Sequence, residues 1–303
     1  SVFLPFSNLG LVIIDEEHEN SYKQSEPSPR YHARDVAIVL AKLHKAKVIL
    51  GTATPSVETW ANCINGKYGM VQLKSRYGDI KMPRITIVNL KEAHRKHTMR
   101  SVFSSILLDE ITTTISKGKQ VILFQNRRGY SSFLQCTSCS WIPHCNSCDV
   151  SLTYHKYADK LVCHYCGFTS GVPAKCAVCG SSAISSKGFG TELIEDEIEL
   201  LVKGARVARL DLDTSRSVKS YEKILYEFSA GKTNILTGTQ LISKGLDFSN
   251  VGLVGIINAD QMLNYPDFRA YERSFQLMMQ VSGRAGRRDE QGKVIIQTYD
   301  PSN

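Results

Sequence analysis

Short apolar runs alternate with stretches of helical periodicity along most of this chain, and a cysteine-rich block interrupts the second half. Leu11-Val-Ile-Ile-Asp15 and Lys47-Val-Ile-Leu-Gly51 are continuous apolar runs of strand length, the signature of strands buried on both faces. Between them Val36, Val39, Leu40 and Leu43 recur at i, i+3, i+4 and i+7, one face of a helix. Strand, helix, strand in this order predicts a parallel sheet. The polar, basic stretch Lys91 to Arg100 reads as a linker, after which a second series begins. Ser101 offers an N-cap to a helix carrying Phe103, Leu107, Ile111 and Ile115, and Gly118 sits where that helix should stop. Strands are expected at 120–124, 206–210, 234–239, 253–258 and 293–299. The chain thus divides into two α/β lobes, residues 1–90 and residues 101–134 with 183–303, the cysteine block 135–182 entering the second lobe after its first strand.

Composition narrows this only a little. At 303 residues and 42% hydrophobic, the chain is long enough for two cores of ordinary size. A net charge of +8 suits an anionic partner without identifying it. No run of apolar residues is long enough for a membrane span, and the first residues lack the features of a secretory leader, so a cytoplasmic location is expected. In that reducing compartment thiols are free to hold metal, and four disulfides are disfavoured.

Eight of the nine cysteines form four knuckles, Cys136-x-x-Cys139, Cys145-x-x-Cys148, Cys163-x-x-Cys166 and Cys176-x-x-Cys179. Two intervening residues let one tight turn present both sulfurs to a tetrahedral ion, so four knuckles make two Zn²⁺ sites. Sequential, alternate and nested pairings are all conceivable. The short gap between Cys139 and Cys145 cramps the sequential one, whereas the segment Val150 to Val162 can fold as a hairpin between Cys148 and Cys163. The nested arrangement is therefore expected: Cys145, Cys148, Cys163 and Cys166 around one ion, Cys136, Cys139, Cys176 and Cys179 around the other. Gly167 and Gly180 follow two knuckles and permit their turns. His144, His155 and His164 are bystanders, and Cys63 reads as a small buried hydrophobe. Four-thiolate sites leave no open coordination position, which makes the zincs structural and disfavours a zinc-dependent hydrolase.

Chemistry is expected elsewhere. Asp15-Glu16-Glu17-His18 follows an apolar strand, where one acid can hold Mg²⁺ and the next orient a water for attack on a γ-phosphate. Gly51-Thr-Ala-Thr-Pro-Ser56 ends the neighbouring strand and sets small hydroxyl residues beside those acids. Gln280-Val-Ser-Gly-Arg284-Ala-Gly-Arg287 places two arginines three apart on an expected helix, both able to face one polyphosphate.

Together with Phe124-Gln-Asn-Arg127-Arg128-Gly129-Tyr130, Thr237-Gly-Thr-Gln240 and Lys244-Gly245-Leu-Asp247, these segments resemble motifs II to VI of superfamily 2 helicases, in order and over nearly the whole chain. The eight cysteines directly after the fourth motif make the chain similar to the replication-restart branch of that family. The resemblance implies two RecA-like lobes, the first incomplete, and an ATP-dependent 3′-to-5′ DNA helicase that acts at stalled or branched forks and restarts replication by primosome assembly. It implies ATP held at the cleft between the lobes, with Asp15 on Mg²⁺, Glu16 as base, Arg284 and Arg287 as arginine fingers, and His18, Gly245, Asp247 and Gln280 completing the site. The segment Tyr22 to Arg34 resembles the family's aromatic-rich loop. There Tyr22, Tyr31 and His32 would stack on unpaired bases while Lys23, Arg30 and Arg34 meet phosphates. Thr191, at the helix opened by Gly188-Phe-Gly190, and Thr237 in the fifth motif would contact the DNA backbone. Implied partners are single-stranded and forked DNA, primosome proteins and single-stranded-DNA-binding protein.

The chain departs from a complete motor in one respect. No phosphate-binding loop is present: in Gly231-Lys-Thr233 the position of the first glycine is Tyr226, and Gly231 reads as a helix stop. The expectation is a piece of a longer motor, lacking the first part of lobe one and any amino-terminal DNA-binding domain, that hydrolyses little ATP by itself. The alternative is a non-catalytic zinc-ribbon platform for DNA or protein, supported by the α/β lobes.

Overall fold

The computed structural model describes the chain except residues 1, 25, 75–80, 126–132, 149, 156–157, 164, 188–190, 212–213, 216, 244–247, 287–290 and 303. The chain forms two compact units, Ser1–Lys74 and Ser75–Asn303.

In the first unit β1 (Leu11–Asp15), α1 (Ala33–Leu43), β2 (Lys47–Gly51) and α2 (Val57–Ile64) follow one another. The strands are parallel and in register from Leu11 opposite Lys47 to Asp15 opposite Gly51, but the expected burial on both faces is not seen: Leu11, Ile13 and Ile49 are exposed and only Ile14 is buried. The helix differs from expectation. It buries Arg34, Ala37 and Ala41, while Val39 and Leu43 of the expected apolar stripe are 59% and 77% exposed. A buried ion pair at Arg34, described below, decides which face turns inward. Cys63, expected to be buried, is half-buried in α2.

The second unit runs through β3 (Arg84–Asn89), α3 (Leu90–Arg95), β4 (Met99–Arg100), β5 (Phe103–Ser104), α4 (Ser105–Ser116) and β6 (Gln120–Phe124). The cysteine block follows, with β7 (Phe133–Cys136), β8 (Thr153–His155), β9 (Lys160–Val162), β10 (Thr169–Gly171) and β11 (Ile184–Lys187). Then come α5 (Thr191–Leu201), β12 (Val207–Leu210), α6 (Val218–Ser229), β13 (Ile235–Gly238), β14 (Val251–Ile256), α7 (Asp260–Leu263), α8 (Ala270–Ser282) and β15 (Lys293–Thr298). Six of these strands form one parallel sheet in the order β12-β13-β6-β14-β15-β3. Its central strands are apolar throughout because helices cover both faces: Phe124, Leu210, Phe228 and Val254 pack on one side, Phe103, Leu107, Ile198 and Leu253 on the other.

Three boundaries differ from the sequence expectation. Residues 84–89, assigned to the first lobe, add an edge strand to the second unit, and the expected linker 91–100 is helix and strand rather than connector. The helix expected from Ser101 starts at Ser105. Ser101 sits at φ +54 in the turn joining β4 to β5, Phe103 is fully buried in β5, and the Ser104 side chain caps the helix by accepting from Leu107 N–H at 3.3 Å. Gly118 and Gly231 adopt the left-handed φ of +70 and +71 that ends a helix, as their positions suggested.

Candidate functional site

The acids at the end of β1 are set by backbone first. Asp15 lies opposite Gly51, where a Cβ would come within 3.4 Å of Asp15 Oδ1, so glycine keeps that side of the carboxylate open. Glu16 turns the chain at φ +47, and its N–H donates to Asp15 Oδ1 at 3.0 Å. His18 Nδ1 lies 2.8 Å from Thr52 Oγ1 and 3.6 Å from Glu16 Oε2, which ties the acids to the threonine-rich turn after β2. Exposed Asp15 beside half-exposed Glu16 is a donor set that suits a hydrated divalent cation.

Glu17 received no role from the sequence, yet it organises this corner. Fully buried, it accepts hydrogen bonds from Arg34 Nη1 at 2.6 Å, Ser56 N–H at 2.7 Å, Ser56 Oγ at 3.1 Å and Thr59 Oγ1 at 2.9 Å. Burial alone would raise its pKa, but the Ser56 N–H, the Thr59 hydroxyl and the Arg34 guanidinium hold it below the usual carboxylate range. Its partners lie 17 to 42 residues away, at no periodic spacing, so nothing local announces them.

Arg34 is therefore a correction. Expected on a DNA phosphate, its guanidinium is buried and bonded to Glu17, Ser56 at 2.9 Å and Asp35 at 2.9 Å, because a buried carboxylate requires a cation. Tyr22 is half-buried and donates its hydroxyl to Asp15 O at 2.7 Å, which orients the ring against the acid corner. Tyr31 meets Phe3 edge to face at 4.9 Å. His32 precedes α1, its pKa lowered by burial and by Arg34. Lys23 and His32 pair as an antiparallel bridge, closing the segment into a loop from which Lys23 and Arg30 are exposed.

In the second unit two DNA-contact expectations are also corrected. Thr191 is fully buried and donates to Asp211 Oδ2 at 2.6 Å, and Glu192, Glu195 and Asp211 gather around Arg209 beside it, an acidic setting that disfavours phosphate. Thr237 is fully buried within β13, since an interior strand of a covered sheet has no solvent-facing side. Gln280 is half-buried on α8. Arg284 is not on that helix: α8 ends at Ser282, and Arg284 lies in the turn after it. Its neighbour Ala285 is fully buried against Gly292, where a Cβ would fall 2.4 Å from the Ala285 carbonyl carbon. Gly245, Asp247 and Arg287 lie outside the described residues, as do Arg127, Arg128, Gly129 and Tyr130. The sequence also did not single out the buried amides at the carboxyl edge of the large sheet. Gln125 donates to Gln261, whose own N–H donates to Asn258 Oδ1 at 3.3 Å.

The zinc centre has the nested pairing. Cys136, Cys139, Cys176 and Cys179 form one set and Cys145, Cys148, Cys163 and Cys166 the other, the four sulfurs of each lying within 4.8 Å of one another. Strands β7 and β11 pair antiparallel as the neck of the module, and β8, β9 and β10 form the hairpin sheet around the inner set. Sulfur separations of 3.5 Å (Cys139–Cys176) and 3.6 Å (Cys136–Cys179, Cys145–Cys166) are close to the ~3.8 Å edge of a tetrahedron with 2.3 Å zinc–sulfur bonds. The thiols also need a cation. In the outer set burial opposes ionisation, yet N–H groups of Cys139 and Ser138 bring Cys136 down to about 6, while Cys139 is pushed up to about 12. Four adjacent thiols cannot all ionise without a positive ion among them. Gly167 and Gly180 take φ of +76 and +71 in the knuckle turns.

Over residues 145–170 the chain matches the PriA DNA helicase Cys-rich region (CRR) domain, and over 186–289 the helicase conserved C-terminal domain. Its full length aligns with the Replication restart protein PriA of Bacillus subtilis (strain 168) at 50% identity. Along its whole length the chain is PriA-like. The PriA proteins of Chlamydia pneumoniae and Haemophilus influenzae also align over all of it, at 42% and 43% identity. The chain covers 37% of the Bacillus protein and 41% of each of the other two, less than half of each relative. A solved structure of RecG bound to a three-way DNA junction aligns with 98% of this chain and 27% of its own, at 14% identity and a TM-score of 0.45, too distant to bear on function. Among the described residues no helix is long and apolar enough to cross a membrane.

Proposed function

We propose that the chain is part of an ATP-dependent 3′-to-5′ DNA helicase of the cytoplasm, acting at stalled or branched forks to restart replication. The observation that supports this most is the PriA-like sequence along the entire chain, with the acids of Asp15-Glu16-Glu17-His18 gathered at the carboxyl end of a parallel strand. In this reading Asp15 holds Mg²⁺, which neutralises charge on the nucleotide phosphates. Glu16 orients the attacking water and accepts its proton. His18 links that geometry to Thr52, and buried Glu17, locked by Arg34 and Ser56, fixes the backbone on which both acids sit. Gln280, Arg284 and Arg287 meet the nucleotide, the arginines countering charge that develops on the transferred phosphoryl group. Gly245 and Asp247 complete the nucleotide site. Tyr22, Lys23, Arg30, Tyr31 and His32 form the DNA-facing loop. The zinc module is structural at its metal ions and docks DNA or partners, among them primosome proteins and single-stranded-DNA-binding protein.

Because the sequence contains no phosphate-binding loop, the chain by itself turns over little ATP. The test is single-stranded-DNA-stimulated ATP hydrolysis by the whole natural polypeptide that carries this sequence. Glu16→Gln should lower stimulated turnover by about 100-fold or more. Equal turnover in both proteins would reject Glu16 as the base, and no stimulated turnover in either would reject the motor reading.

A further inference from the structure

Basic charge in this protein is concentrated rather than spread. Residues 81–100 contain Lys81, Arg84, Lys91, Arg95, Lys96 and Arg100 against the single acid Glu92, so they contribute a net +5 of the chain's +8. The second half of that segment is an ordered element. Helix α3 sits at the carboxyl end of edge strand β3 with Leu90 and Ala93 buried beneath it. Asn89 caps it by accepting from Glu92 N–H at 3.3 Å, and Thr98 N–H closes its far end on Ala93 O at 2.9 Å. His94 stacks on Tyr299, which follows β15, with ring centroids 5.9 Å apart, and the two side chains share a 3.1 Å hydrogen bond. Lys96 is neutralised by Glu92 at 2.5 Å. Lys91, Arg95 and Arg100 have no ion-pair partner among the described residues, and Arg95 and Arg100 are exposed.

We propose that Lys91, Arg95 and Arg100 form a binding face for the sugar–phosphate backbone of DNA. The proposal rests on the DNA-motor reading above and adds a contact surface outside the loop and motifs which that reading uses. Lys91 and Arg95 are one helical turn apart on the same face of α3, so their side chains can bracket neighbouring phosphates, and exposed Arg100 in β4 adds a third cation soon after the helix. The fixed helix means that contact costs little backbone ordering, as a flexible linker would not. Contacts of these cations with phosphate oxygens carry no sequence information and make binding strongly salt-dependent.

The experiment measures the affinity of the whole natural polypeptide that carries this sequence for a labelled oligothymidylate and a labelled duplex across a salt series. It compares the unaltered chain with Lys91→Gln/Arg95→Gln/Arg100→Gln. A control, Lys203→Gln/Lys219→Gln/Lys223→Gln, removes equal charge from exposed positions elsewhere in the second unit. The expected result is a fall in the log–log salt slope of about 2 on the single strand or about 2.7 on the duplex, with at least about a tenfold weaker affinity, and neither change in the control. The nucleic acid showing the larger fall identifies the natural source of the phosphates. Equal behaviour of the two triple variants would overturn the face while leaving the motor reading intact. Patch-dependent binding of an acidic peptide with DNA binding untouched would overturn it too. An unaltered whole polypeptide that binds neither DNA would overturn both readings.

Discussion

The acid corner of the first unit and the zinc module of the second both crowd ionisable side chains into a small volume, and they manage the charge in opposite ways. In the corner the compensation is internal. Buried Glu17 has a guanidinium and three further donor groups around it, so that carboxylate is compensated as the protein makes it. In the module eight thiols gather in two sets with no side-chain cation among their ligand atoms, and the pull of Cys136 toward thiolate is matched by the push of Cys139 away from it. That set is complete only with a divalent ion. Buried Glu17 depends on a network spread over three chain segments, the thiols on something taken up from solution.

The largest effect that sharpens this contrast is metal removal. Zinc bound by peptide thiolates contributes about 10–16 kcal/mol of apparent binding free energy at neutral pH, so chelation should melt residues 135–182 while the large parallel sheet persists. Hydrogen exchange would show protection lost in β8 to β10 and kept in β6 and β14. Loss of protection at Ile14 and Ala41 on chelation would contradict the self-sufficiency of the corner.

Next in size is Arg34→Met, which leaves Glu17 charged, buried and unpaired. A cost of about 3–5 kcal/mol is expected in the denaturant stability of the first unit, with zinc content unchanged. The double substitution Arg34→Met/Glu17→Met should recover most of that loss, since an apolar pair of similar volume replaces the ionic one. Acid gives the same sign. The pKa of Glu17 is lowered below 4.5 in the folded state, so its contribution is full above that value and is lost as pH falls through the lower folded value. Glu17→Gln should flatten the stability curve below about pH 4.5. The smallest effect is Thr52→Val. It removes the 2.8 Å contact with His18, and a loss of about 1 kcal/mol is expected in the thermal stability of the first unit.

The features the sequence made legible are those with a local period. Strands β1, β2 and β6 lie at the residues their apolar runs delimit, although only β6 is covered throughout, while Ile13 of β1 and Ile49 of β2 are exposed. The zinc pairing followed from knuckle spacing and the hairpin length between Cys148 and Cys163. What failed depended on long-range partners. Arg34 in a basic, aromatic stretch looks like a phosphate ligand until Glu17 is seen beneath it. The stretch 91–100 looks like a linker because its charges mask its one inward position, Ala93, which follows buried Leu90. Thr191 and Thr237 sit in motif-like segments whose burial only the packed sheet decides. Arg284 falls past the end of α8 because the helix stops at the small residues Ser282 and Gly283.

Zinc content of the variant Cys136→Ser/Cys176→Ser tests the nested pairing most directly. Both substitutions fall in the outer set, so the variant should keep one tightly held zinc per chain where the unaltered protein holds two. Sequential pairing would spread the two substitutions over both sites, and a variant with no tightly held zinc would contradict the nested centre.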